Sequence, residues 1–209
     1  MSPSLAVTGG GFLRVGGGCP PLFFERLLPG DVECLRRQMQ DRRFNVETVF
    51  ALSRRCAWGA PLVALCLPFR GAAPFPTTFW LTCPSLRDRC SREESRQGVP
   101  ALEAFLRRRY PRWVAYHLRS SLIRLAFLSE GARRFASIHR RAALASLRKG
   151  GVGGTRLGSA PTVKCLHLQV ASWLGLGEHP GEAWLRERFS PVSCLFPARF
   201  SCLGEKHYG

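Results

Sequence analysis

Acidic residues are scarce in this chain. Only 14 of its 209 residues are Asp or Glu, against 31 Lys and Arg. Catalysis by paired carboxylates therefore has few candidates. Asp88, Glu93 and Glu94 lie among Arg87, Arg89 and Arg92, where salt bridging is the plainer reading. Lysine is rarer still, since the positive charge comes from 28 Arg and 3 Lys. No two cysteines stand three positions apart, which disfavours a zinc ribbon or a thioredoxin-type pair. GxSxG and HExxH are missing, and the glycines at 150–154 lack the GK[ST] ending of a phosphate loop. No zinc-finger, RNP or KH signature is found. No apolar run approaches the ~20 residues of a membrane helix. The N-terminus lacks a basic start followed by an apolar core, so a signal peptide is not expected and the chain reads as cytoplasmic.

What is present narrows the choices. The length suits one domain, and an apolar fraction of 45% is ample for a core. Nine cysteines, an odd number at irregular spacing, read as reduced thiols rather than a disulfide framework. A net charge of +17 predicts attraction to polyanions: nucleic acid, polyphosphate or an acidic membrane surface.

Residues 1–30 are rich in Gly and Pro and are expected to be a flexible tail. Residues 31–189 read as a single domain and 190–209 as an irregular tail. A helix is expected over 31–43 with Asp31 as its N-cap. Strands follow at 47–53, 61–67 (PLVALCL) and 77–83 (TTFWLTC), joined by short turns, which favours an antiparallel meander. Helices are expected from Pro84 to about Gly98, over 100–110, 112–129 and 132–149, then 162–174 and 182–189. A basic helical insertion thus occupies 107–149, and a Gly-rich loop spans 150–161. Strands first and helices later give an α+β class: a small antiparallel sheet of about three strands packed with several helices.

Two segments carry candidate chemistry. In PFPTTFWLTCPSL a strand ends at Cys83 and proline opens a helix. The N–H groups and dipole at that helix start are expected to lower the Cys83 pKa, making it a candidate reactive thiolate or metal ligand. In TVKCLHLQVASWLG, Val163, Leu166, Val170, Trp173 and Leu174 form an apolar stripe. Cys165 falls off that stripe and His167 at its edge. Two positions apart on a helix is a rotation of about 200°. Cys165 and His167 can therefore share a metal only if the segment begins as a loop. With Cys56 in the basic turn RRCAWGAP, the residues Cys83, Cys165 and His167 complete a Cys3His set, with zinc or iron as the candidate metal. Cys194 and Cys202 stand in the tail and read as incidental.

These segments also resemble the bacterial family called domain of unknown function 501. The resemblance rests on PFPTTFWLTCPSL, SREESRQG, TVKCLHLQVASWLG and RRCAWGAPLVAL, and covers roughly 49–98 and 162–185. It implies a bacterial, cytoplasmic protein and no known activity. The family pattern reads SRLE where this chain has Ser91-Arg92-Glu93-Glu94, so Glu93 stands in place of a leucine.

A basic surface is the third feature. Residues 107–149 hold twelve Lys and Arg against the single acid Glu130. On a helix over 132–149, Phe135, Ile138, Ala142 and Ala145 line one face. Arg133, Arg134, Arg140, Arg141 and Arg148 gather on the other, as phosphate backbones require. The leading expectation is a non-enzymatic protein that binds nucleic acid or polyphosphate through these arginines. The alternative is a thiol- or metal-dependent enzyme or redox sensor centred on Cys83, Cys165 and His167. A scaffold for another protein is the third.

Overall fold

The structure, a computed structural model, describes residues 10–13, 22–40, 44–71, 73–200 and 202. Its class is α+β, with eight α-helices among the described residues and an antiparallel sheet. The apolar run PLVALC becomes the heart of that sheet. β4 (Pro61–Cys66) is buried at all six positions, which requires cover on both faces. β3 (Val49–Arg55) pairs with one edge of it and β7 (Phe79–Leu81) with the other. Val63 and Leu65 face one core with Leu166 and Val170 of α7 (Leu166–Leu176). Ala64 and Cys66 face a second, smaller core with Leu35 of α1 (Asp31–Gln38).

The sheet is wider than the three expected strands. β1 (Gly10–Leu13) and β2 (Leu22–Glu25) form a hairpin that extends the order to β1-β2-β3-β4-β7. These described residues lie inside the segment expected to be a flexible tail, and the rest of 1–21 lies outside the described residues. The physical reason is aromatic. Phe24 meets Phe50 and Phe127 edge-on, with ring centroids 6.1 Å from each. Gly11, opposite Phe24 in the ladder, leaves room for that ring, since a Cβ there would lie 2.6 Å from it. A two-strand ribbon, β5 (Phe69–Arg70) with β6 (Ala73–Pro74), stands apart from the sheet.

Asp31 does not cap α1; Gly30 does, in the left-handed region at φ 88°. Asp31 opens the helix and takes a bidentate pair from Arg55 at 2.7 and 2.8 Å. It also accepts the Leu28 N–H at 2.6 Å. Glu25 binds the same guanidinium, so β2, α1 and β3 are tied at one point.

The helical half follows as α2 (Pro84–Ser95), α3 (Gly98–Arg107), α4 (Tyr110–Ala126), α5 (Glu130–His139), α6 (Arg141–Lys149), α7 and α8 (Glu182–Phe189). Pro111 sits in the first turn of α4 rather than ending a helix. The expected helix over 132–149 is two helices. Arg140 leaves helical backbone (φ −139°, ψ 42°), closing α5 and opening α6, with no proline or glycine to mark the break. Its apolar side also differs from expectation. Ala136, Leu144 and Leu147 are buried, while Phe135 and Ile138 are each 54% exposed. The larger leucines, not Ala142 and Ala145, fill the core. No described helix is long and apolar enough to cross a membrane.

Candidate functional site

The chain at 161–165 is not helical, and α7 starts only after Cys165, whose backbone (φ −166°, ψ 159°) is extended. This removes the helical conflict between Cys165 and His167. An extended Cys165 turns its thiol back toward the first turn of the helix, where His167 lies. Glu94, on the last turn of α2, completes the group. One ligand atom from each of Glu94, Cys165 and His167 lies within 4.8 Å of the other two.

Glu94 does two things at once. Its Oε1 accepts the Leu166 N–H at 2.6 Å and so caps α7, and it meets His167 Nδ1 at 3.1 Å. A carboxylate at a helix N-terminus is stabilised by the helix dipole. All three residues are half-buried. Cys165 and His167 also line a cavity of about 310 Å³ with Lys164, Arg87, Thr77 and Trp80. Two cationic side chains over apolar walls suit a small anion.

Burial raises the Cys165 thiol above its ordinary pKa, and the Glu94 carboxylate adds to the rise. The N–H groups of Leu168 and His167 and the Lys164 charge offset only part of it. Without a further cation the group is a neutral thiol. A metal ion bound here would supply that cation. Sulfur, nitrogen and oxygen donors from three side chains form a set that zinc takes.

The other sequence candidates go elsewhere. Cys83 does cap α2, as expected. Its thiol, however, is 4% exposed, and burial pushes its pKa up to about 12 despite hydrogen bonds from the Leu86 and Ser85 N–H groups. Desolvation outweighs the helix start here, so Cys83 is a packed thiol and not the expected thiolate. Neither Cys83 nor Cys56 joins the Glu94 group, so the Cys3His set does not assemble among the described residues. Cys56 sits in the β3–β4 turn against Cys34 and Cys202.

The sequence offered Glu94 only as a salt-bridging carboxylate, although a signal for more existed. It falls four residues after Cys90 and eight after Leu86, both fully buried. A carboxylate in phase with a buried stripe has a partner to meet. A family model described as "Protein of unknown function (DUF501)" matches residues 52–187. The chain belongs to this family. No curated protein and no solved structure matches it. The DUF501 match is wider than the resemblance of the separate segments, and it spans Glu94, Cys165, His167 and most of the cavity lining. Glu94 occupies the final position of the SRLE pattern. Glu93, standing for its leucine, is accommodated by an ion pair with Arg188 of α8 at 3.1 Å.

Arg133, Arg134, Arg140, Arg141 and Arg148 are all exposed. They do not share one helix face, because the chain breaks at Arg140. Arg133 donates to the Leu125 carbonyl and Arg141 to that of Ser137. The five exposed arginines are therefore distributed over two short helices and their junction.

Proposed function

We propose that this family member is a metal-dependent enzyme of small anionic substrates, with a zinc-class divalent ion held by Glu94, Cys165 and His167. The convergence of these three side chains, two of which line the 310 Å³ cavity, supports the reading. Zinc at such a site polarises a carbonyl or phosphoryl oxygen and activates water. The chain's own residues do the rest. Lys164 and Arg87 attract the anion, and Trp80, Leu81 and Leu168 wall off solvent. Glu94 holds both the helix start and the His167 ring.

The test is zinc titration of the metal-stripped protein. Wild type should bind one equivalent. Cys165→Ser and His167→Gln should weaken binding by more than the roughly 10–100-fold that losing an outer-shell partner costs. Cys83→Ser should leave affinity unchanged. Equal zinc binding by wild type and Cys165→Ser would remove the site.

A second reading rests on the five exposed arginines. We propose that they engage a polyanion, nucleic acid or polyphosphate, without base-specific contacts. Affinity should then fall steeply with salt. Arg140→Ser with Arg141→Ser should reduce the salt slope by roughly 2, about one for each phosphate no longer neutralised. A slope unchanged in that double variant, measured with single-stranded DNA and with polyphosphate, would refute it.

A further inference from the structure

We propose that the anion taken by the 310 Å³ cavity is the carboxyl end of an extended peptide, which adds as a strand to the open edge of β7. The inference rests on the reading of that cavity as an anion site, and it names the substrate class.

The edge comes first. β7 ends the order of the five-stranded sheet and pairs with β4 alone among the described strands. In an antiparallel ladder, residues alternately bond the neighbouring strand and face away from it. The Cys66 N–H donates to the Thr78 carbonyl at 2.9 Å, and the Thr82 N–H to the Leu62 carbonyl at 3.1 Å. Ala64 stands opposite Trp80 between them. The positions bonding to β4 are thus Thr78, Trp80 and Thr82, and the peptide groups of Phe79 and Leu81 face outward. Their side chains enter the main core, which leaves their N–H and C=O groups at the sheet margin. Such a row is a template for another strand. Thr77, Phe79, Trp80 and Leu81 all line the cavity, so the cavity follows this edge.

The rest of the lining sets the charge of the guest. Arg87 is 8% exposed, and its Nη1 donates to the Gln38 carbonyl at 2.7 Å, which holds the guanidinium in place. Lys164 is exposed. Among the described residues the lining holds these two cations and no carboxylate. A terminal carboxylate matches that charge, and a peptide backbone matches the edge. Acetate or inorganic phosphate would meet the cations but leave the outward groups of β7 to water. β7 is three residues long, about 10 Å of strand, so a short peptide is enough to cover it. The wall is preformed. Trp80 stacks on Phe75 at 5.7 Å and meets Phe44 at 5.1 Å. Cys165 and His167 line the same cavity, so a peptide paired with β7 carries its own carbonyl groups past them.

The test uses the full-length chain stripped of metal, so its result is independent of the zinc titration. The probe is an acetylated alanine–valine pentapeptide with a free carboxylate. Calorimetry should show it binding at one site. Its C-terminal amide should bind about tenfold more weakly, the loss of one charge-assisted bond. Lys164→Met should narrow that difference, and an exposed lysine can be replaced without disturbing the core. Methylation of single peptide nitrogens should follow the period of a strand. Alternate positions should each cost about tenfold, and the positions between them little. These changes are made in the peptide, so β7 itself stays unaltered. No binding of the pentapeptide, equal binding of acid and amide, acetate or inorganic phosphate binding as tightly as the peptide, or methylation effects without the alternation would each overturn the proposal.

Discussion

Acidification from neutral pH should destabilise this protein. By pH 4, His117 and His179 should each have removed about 3 kcal/mol of folding stability. Both rings are held neutral in the interior. His117 is 1% exposed and His179 7%. Burial pushes His117 down to about 4, and the Arg124 charge acts the same way. Burial pushes His179 down to about 3, with His117 adding to it. The hydrogen bonds give the tautomers. His117 Nδ1 accepts the Val152 N–H at 3.2 Å, and His179 Nδ1 accepts the Gly181 N–H at 2.8 Å. His179 Nε2–H in turn donates to Gln169 Oε1 at 2.9 Å. An accepting Nδ1 carries no proton, so adding one breaks a buried bond and places a charge beside Trp113 and Tyr116. Arg124 lies near His117, and Arg112, Glu182 and Arg119, the last paired with Glu178, line the same cavity as His179.

In the unfolded chain each histidine titrates near ~6.5. The unfolded state therefore takes up protons that the native state refuses. Stability from these groups is complete above that value and falls as pH drops toward their folded pKa values, by about 1.4 kcal/mol per pH unit for each ring. Against a total of roughly 5–15 kcal/mol, the loss is large. Asp31 works lower on the scale. Burial alone would raise its pKa, but the Arg55 guanidinium and the Leu28 N–H hold it below the usual 3.8. Its contribution persists above the ordinary carboxylate range and is lost as pH falls through its folded pKa. Urea unfolding between pH 8 and 4.5 separates the two regimes. The pair of substitutions His117→Asn and His179→Asn, whose amide oxygens replace the accepting Nδ1 atoms, should lower stability at pH 7 and flatten the slope. Wild-type stability that stays level from pH 7 to pH 5 would refute the account.

Which parts of this fold could be read from sequence follows from the range of the forces involved. PLVALC and TTFWLTC announce strands by local composition, and proline after Cys83 announces a helix. Those signals lie within a few residues and the fold obeys them. The β1–β2 hairpin was hidden because Gly11 looks like linker until Phe24 needs the space above it. The break at Arg140 has no local marker. Cys83 shows the limit most directly. Its place at a helix start was legible, but its pKa is set by burial, which depends on residues from the whole domain. The candidate site divides in the same way. Cys165 and His167 are neighbours in sequence and were found, with the extended backbone at Cys165 deciding that they meet. Glu94 is 71 residues before Cys165, and only the packing of α2 on α7 brings it there. Cys202 reads as incidental in the sequence, yet its carbonyl accepts the Cys34 thiol from 168 positions away.

Replacing Arg124 with methionine should cost about 3–5 kcal/mol, the penalty for stripping the partner from a buried polar group. Arg124 is 1% exposed. Its Nη1 donates to the Leu147 and Gly150 carbonyls, both at 2.8 Å, and its Nη2 donates to the Gly151 carbonyl. Leu147 belongs to the last turn of α6, whose carbonyls have no partner within the helix. The guanidinium therefore fills the C-terminal end of α6 from the side, where the helix dipole favours a cation. Burial lowers its pKa to about 10, so it stays charged at neutral pH. The loop it holds cannot relax freely. A Cβ on Gly151 would sit 1.8 Å from His117 Nδ1, and one on Gly153 2.4 Å from Leu168. Leu168 lines the cavity beside Cys165 and His167. Arg124 thus supports the candidate site through one loop and one leucine. Methionine fills similar volume but leaves the buried Leu147 and Gly150 carbonyls without this donor, while the Gly151 carbonyl keeps the Gly154 N–H. Lysine keeps the charge and, lacking the planar fork, should recover only part of the stability. Because the contacts are buried, the difference between wild type and Arg124→Met should persist at high salt, where the exposed Asp88–Arg92 pair is screened. Urea unfolding of the three proteins at low and high salt measures this. A methionine variant within about 1 kcal/mol of wild type would mean that the loop finds other donors, and that the support running from α4 to the cavity does not exist.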